Sequence, residues 1–164
     1  ACPTCVALTV VESYDPGANT WQSEPPLPSG VYAARGAVIN NVFYVVGGYT
    51  WTTSSTVNSV YAFDPADGAT GTWTAKATMP TSRYVLGVEA VNGILYAFGG
   101  WNSSSGTIAV VEAYDPVANL WTAKASMPAA KNTMGTGVLN GRIYAAGGVD
   151  SASTILSTVY VYQP

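Results

Sequence analysis

Glu12, Glu89 and Glu112 are the carboxylates set among strand-forming residues rather than turn residues, and a pair of such groups is what acid–base catalysis requires. Glu12 and Glu112 recur in matching surroundings, Val11-Glu12-Ser13-Tyr14 and Val111-Glu112-Ala113-Tyr114. A carboxylate repeated together with its neighbours serves a scaffold better than a unique reaction, so no catalytic residue is assigned. The sequence has no histidine, which takes away the commonest general base and metal ligand. No metal site and no cofactor is expected.

Cys2 and Cys5 form the sequence's single Cys-x-x-Cys. A redox site of that spacing needs a helix N-terminus in a βαβ setting, a zinc site needs two further ligands, and a haem site needs histidine where Val6 stands. A local or interchain disulfide at Cys2 and Cys5, tying down the N-terminus, is expected instead. Asn102-Ser103-Ser104 is the one N-glycosylation sequon, and Asn102 is taken as the candidate glycan site of a secreted glycoprotein. The Ser and Thr clusters of 52–56 and 103–107 are candidates for O-linked sugars.

Aromatic and charged residues placed together make the remaining site candidates. Trp51, Trp101 and Asp150 belong to one set of hydroxyl-rich segments; Tyr32 with Arg35, Arg83 with Tyr84, and Lys131 belong to another. Trp or Tyr beside Arg is the composition of binding hot spots, and flat aromatic rings also suit sugar rings. These eight residues are the expected binding face, for a protein or a glycan.

The elements that position them repeat about every 50 residues. Val42-Phe43-Tyr44-Val45-Val46, Ile94-Leu95-Tyr96-Ala97-Phe98 and Ile143-Tyr144-Ala145-Ala146 each run into a glycine pair, Gly47-Gly48, Gly99-Gly100 and Gly147-Gly148. Tyr14-Asp15-Pro16, Phe63-Asp64-Pro65 and Tyr114-Asp115-Pro116 are followed by Trp21, Trp73 and Trp121, and then by Leu27-Pro28, Met79-Pro80 and Met127-Pro128. Double glycine, spaced aromatic pair and period together resemble the kelch family, across nearly the whole chain after Cys5. The resemblance implies a β-propeller of four-stranded antiparallel blades. Some kelch proteins are enzymes, galactose oxidase among them, but its copper site requires two histidines, and that activity is excluded here.

The residues agree independently. Each unit holds four short segments rich in Val, Ile, Tyr, Trp and Thr, separated by turn residues. Asn92-Gly93 and Asn140-Gly141, and less ideally Asn40-Asn41, sit where a tight hairpin needs positive φ. Asp15-Pro16-Gly17-Ala18-Asn19 and its counterparts supply the turn from third to fourth strand. The glycines and aromatics of the repeat are read as packing residues between blades.

The expected fold is all-β, a single kelch-repeat domain over residues 1–164 of about three and a quarter blades. Residues 6–28 are a partial blade, 29–80 and 81–128 whole blades, and 129–164 a partial blade. Val6 to Ser13 and Thr154 to Tyr162 both read as third strands, so one position is claimed twice. Closed propellers use four to eight blades, and an uncovered blade is a template for another chain. Copies of the chain joining into a multi-chain propeller, ring or fibre are the first functional expectation. A protein- or glycan-binding module cut from a longer receptor-like protein is the alternative.

Composition narrows the partners. Charged residues make up 9% and hydrophobic residues 48%, with a net charge of -3, so a basic stripe for nucleic acid is lacking. No run approaches the length of a membrane span, and Ala1 to Val10 lack the form of a signal peptide, as in a mature secreted chain. With thiols confined to Cys2 and Cys5, an extracellular location is expected.

Overall fold

A computed structural model describes residues 7–68 and 70–164. Cys2 and Cys5, and with them the expected disulfide, lie outside the described residues.

The described chain opens with a hairpin, β1 (Val11–Asp15) and β2 (Thr20–Glu24). The first full blade holds β3 (Arg35–Ile39), β4 (Val42–Val46), the accessory hairpin β5 (Tyr49–Thr50) and β6 (Ser55–Thr56), β7 (Val60–Asp64) and β8 (Thr72–Ala75). The second repeats it with β9 (Gly87–Val91), β10 (Ile94–Phe98), β11 (Trp101–Asn102), β12 (Gly106–Thr107), β13 (Val111–Asp115) and β14 (Leu120–Lys124). The last sheet has three strands, β15 (Gly135–Leu139), β16 (Arg142–Ala146) and β17 (Val159–Tyr162). Both full blades are antiparallel meanders, ordered β3-β4-β7-β8 and β9-β10-β13-β14.

Local chemistry fixes these turns. Asn40 and Asn41, Asn92 and Gly93, and Asn140 and Gly141 all have φ between 49° and 77°, the paired left-handed conformation of a two-residue hairpin loop. The Asp-Pro turns close on the aspartate: Asp15 Oδ1 accepts from Gly17 N at 2.8 Å and Asp115 Oδ1 from Val117 N at 2.8 Å.

The first strands lie innermost, with β9 packed between β3 and β15. One apolar cluster, including Tyr44, Val46, Met79, Leu95, Tyr114 and Trp121, joins the two full blades. A second, including Tyr96, Phe98, Val111, Met134 and Ile143, joins the middle blade to the last.

Two kinds of hydrogen bond recur between blades. Gly48 N donates to Arg83 O and Gly100 N to Lys131 O, both at 2.9 Å. A Cβ on Gly47 would lie 2.4 Å from Arg83 O, and one on Gly99 2.4 Å from Lys131 O; the glycine pair is what lets one blade's backbone touch the next. Farther out, Trp73 Nε1 donates to Pro25 O at 2.8 Å and Trp121 Nε1 to Ala77 O at 2.9 Å. Each tryptophan therefore hooks the carbonyl four residues past the preceding blade's tryptophan.

Two expected strands are shorter than the sequence indicates. β1 begins at Val11 and β17 at Val159. Ile155 bridges Val149 and Leu156 N donates to Gly148 O at 2.9 Å, so residues before β17 fold back as an accessory turn instead of extending the strand.

Candidate functional site

Tyr32 bridges Tyr49, Tyr84 bridges Trp101, and Asn132 bridges Val149. These bridges tie the segment entering each blade to the segment between its second and third strands, and so gather the aromatic candidates on one face. Four rings run in sequence across two blades, and a fifth flanks them. Trp51 lies 4.9 Å from Tyr49, Tyr49 lies 5.5 Å from Tyr84, and Tyr84 lies 5.6 Å from Trp101. Tyr32 flanks the strip 6.1 Å from Trp51 and 6.3 Å from Tyr84. Tyr32 is exposed and the other four are half-buried. The edge-to-face and tilted packing holds these rings at little entropic cost, leaving apolar surface and hydroxyls for a ligand. In the last blade Asn132 and Val149 replace the aromatic pair, and the strip stops there.

Tyr49 was not among the sequence candidates, although it follows Gly47-Gly48 just as Trp101 follows Gly99-Gly100. The segments read as loops are themselves short hairpins, β5–β6 and β11–β12. Such short spans rich in Thr and Ser give no strand signal of their own.

Arg83 is not on the binding face. It is fully buried: Nη2 meets Glu112 Oε2 at 2.7 Å, and Nη1 donates to Val110 O at 2.9 Å. Thr81 Oγ1 donates to the other Glu112 oxygen at 2.7 Å. Burial pulls the guanidinium down to about 10 while Glu112 opposes that fall, and Arg83 stays charged at neutral pH. Its side chain turns inward because its own carbonyl is held by Gly48 N and the strand edges around it present carbonyls.

Lys131, the equivalent residue in the last blade, is buried too, and the expectation of a surface contact fails for the same reason. Its Nζ donates to Thr158 Oγ1 at 3.0 Å and lies 4.0 Å from the centre of the Tyr160 ring. Burial lowers its pKa. Where Arg83 has Glu112 across the sheet, Lys131 has Tyr160: Ala97 faces Glu112 in register, and Ala145 faces Tyr160.

Arg35 is exposed at the start of β3, its Nη1 on Ala34 O at 3.1 Å. Asp150 caps a turn, its Oδ1 accepting from Ala152 N and Thr154 N at 2.9 and 2.8 Å. Asn102 is a correction. Its side chain is buried, Nδ2 donates to Ser82 O at 2.6 Å, and Oδ1 accepts from Ser104 N at 2.8 Å. The amide nitrogen a glycan would occupy is inside a blade joint, and the sequon is a structural Asx turn.

The terminal faces differ from the joints between them. At the N-terminal end Trp21 is 68% exposed beside Tyr14, with ring centres 5.1 Å apart. Toward the other end an open cleft of about 250 Å³ lies between the middle blade and the last, lined by Phe98, Val111, Ala125, Met127, Ile143 and Tyr162, among others.

Radially arranged meanders joined through innermost strands make this a β-propeller architecture. The Kelch motif family model matches residues 31–80, 83–128 and 132–164, and the chain belongs to the kelch-repeat family. It is 36% identical over 102 residues to Kelch-like protein 9 of Mus musculus, covering 60% of this chain and 16% of that protein. Kelch-like protein 13 of Homo sapiens is 35% identical over 102 residues, covering 60% and 15%. The chain thus spans about a sixth of the length of these curated relatives. The solved structure titled "Structure of YjhT" aligns with a TM-score of 0.66 at 28% identity, over 78% of this chain and 37% of that one. Among the described residues no helix is long and apolar enough to cross a membrane.

Proposed function

We propose that this kelch module is non-catalytic and acts outside the cell by binding protein, first of all further copies of itself, to build a larger propeller or fibre. The observation that carries the reading is the bareness of its terminal blades. Trp21 is 68% exposed where its repeat counterpart Trp121 is 9% exposed, and Val161 is 51% exposed where Ala113 is 3% exposed. Trp121 and Ala113 show what a neighbouring blade covers at these positions, and exposed apolar surface of this kind is where a further blade would pack. Low charge, hydroxyl-rich segments and thiols confined to Cys2 and Cys5 support an extracellular setting.

Mass photometry with negative-stain electron microscopy tests this. Regular multi-chain particles are expected at micromolar concentration, and a stable monomer there overturns the reading.

The aromatic strip supports a second reading, in which Tyr32, Tyr49, Trp51, Tyr84 and Trp101 seat a protein or glycan ligand. A glycan array and an immobilised peptide library are suitable probes. A ligand whose binding falls at least about tenfold on Trp51→Ala supports it, and a ligand indifferent to Trp51→Ala and Tyr84→Ala overturns it.

A further inference from the structure

We propose that the aromatic strip is a binding site for a neutral oligosaccharide, which stacks its sugar rings on Trp51 and Trp101 and accepts hydrogen bonds from their indoles. The inference rests on the ligand-binding reading of the strip and names the class of ligand.

The two tryptophans of the strip are not tied in as the scaffold tryptophans are. Trp73 and Trp121 spend their indole N–H groups on main-chain carbonyls. Among the described residues nothing accepts from the indole of Trp51 or Trp101, and no buried polar side-chain atom lacks a partner. Both N–H groups therefore reach solvent. An aromatic face with an open donor at its edge matches a pyranose, which carries C–H groups on its faces and hydroxyls around its rim. Tyr49 and Tyr84 stand between the two indoles in the strip, so a ligand that meets both indoles has more than one sugar ring.

The platform is set before a ligand arrives. Thr56 N donates to Ser103 Oγ at 2.9 Å and Ser103 N to Thr56 Oγ1 at 3.3 Å, which clips β5–β6 to β11–β12. Asn102 Oδ1 accepts from Ser104 N at 2.8 Å and Ser105 N at 3.0 Å, fixing the tip of the second hairpin. Thr52, Thr53 and Ser54 at one tip, and the three serines 103–105 at the other, are exposed. Their hydroxyls both donate and accept, as sugar hydroxyls do. Ordering of these segments is met in folding and is not charged against binding.

Charge decides the class of ligand. Residues 47–63 and 99–111 contain no Asp, Glu, Lys or Arg. Such a surface has no cation for a phosphate or an acidic sugar. It also lacks the Arg and Met that protein interfaces favour and is rich in the Ser that they disfavour. An uncharged, polyhydroxylated ligand fits it best.

The test is affinity electrophoresis of the native chain through gels carrying a soluble β-glucan, a galactomannan or a dextran, with alginate and polygalacturonate as anionic controls. Retardation by at least one neutral polymer and by neither anionic one is expected. Titration calorimetry with the retarding polymer is expected to give the same affinity at about 0.05 and 0.5 M salt. Trp51→Ala and Trp101→Ala each weaken binding at least about tenfold, with circular dichroism confirming the sheet content of every variant. Trp51→Phe, which keeps a ring and loses the donor, weakens it less than Trp51→Ala, and Trp21→Ala leaves it unchanged. Retardation by the anionic polymers alone, or retardation undiminished in both W51A and W101A, overturns the proposal. A peptide held through Trp51 while no neutral polymer binds overturns the oligosaccharide and leaves the strip a ligand site. Failure of peptides and polymers alike overturns both.

Discussion

Arg83 and Glu112 form an ion pair at 2.7 Å with the guanidinium wholly buried and the carboxylate nearly so. The pair spans β10 and β13, since Arg83 also donates to Ala97 O and Val110 O. One side chain therefore stitches the second and third strands of the middle blade together.

Removing one partner strands the other. Glu112→Ala is expected to lower unfolding free energy by about 3–5 kcal/mol, because it leaves a buried, uncompensated guanidinium. The R83L/E112L double variant is expected to be less destabilised than E112A alone. Urea denaturation monitored by tryptophan fluorescence separates the two.

Glycine matters by position. Gly99 has φ 58°, and a Cβ there would meet Lys131 O at 2.4 Å and Met134 Cε at 2.6 Å. Gly99→Ala is expected to cost about 1–3 kcal/mol or more. A Cβ on Gly137 meets nothing within 4 Å and its φ is ordinary, so Gly137→Ala is expected to be neutral or to stabilise by up to about 1 kcal/mol. Thermal unfolding of the two variants side by side checks this.

Burial, with Tyr44 and Asp115 adding to it, pushes the Tyr114 hydroxyl up to about 12. The folded chain thus holds this proton more tightly than the unfolded chain, whose tyrosines titrate near 10. The stabilisation is complete below pH 10 and is lost as pH climbs toward 12. Tyr114→Phe is expected to flatten that alkaline decline, though it also forfeits the 2.7 Å bond to Asn119 Oδ1. Melting temperatures between pH 9 and 11.5 show the slope.

Asn102 is expected to be unmodified in material from a glycosylating host, as its Nδ2 is spent on Ser82 O. Intact mass without an N-glycan is the expected result. Asn102→Ala is expected to destabilise by about 1–3 kcal/mol through the carbonyl and amides it leaves unpaired.

Most of the scaffold was legible because its signals are local. Asn-Gly turns, Asp-Pro turns and glycine pairs each act within a few residues, and three copies in order reinforce one another. The aromatic strip was legible in part: Tyr32 and Tyr84 each precede a glycine pair by 15 residues, and Trp51 and Trp101 stand out as aromatics in hydroxyl-rich segments. Arg83 and Lys131 were misplaced because burying a cation depends on carbonyls and a carboxylate from strands about 30 residues away. Nothing near Arg83 in sequence announces Glu112. Asn102 failed likewise: the sequon pattern is three residues long, and its burial partner Ser82 belongs to another segment.

The Gly48–Arg83 and Gly100–Lys131 contacts described above use only main-chain atoms. Each blade therefore couples to its neighbour partly through main-chain atoms, beside the tryptophan hook and the shared apolar clusters, and the blades form a row in which each packs on its neighbours. Hydrogen exchange in such a row is graded: amides of β9, β10 and β13, flanked on both sides, are the last to open, while β2 and β17 open first. Heat enters this protein from its ends.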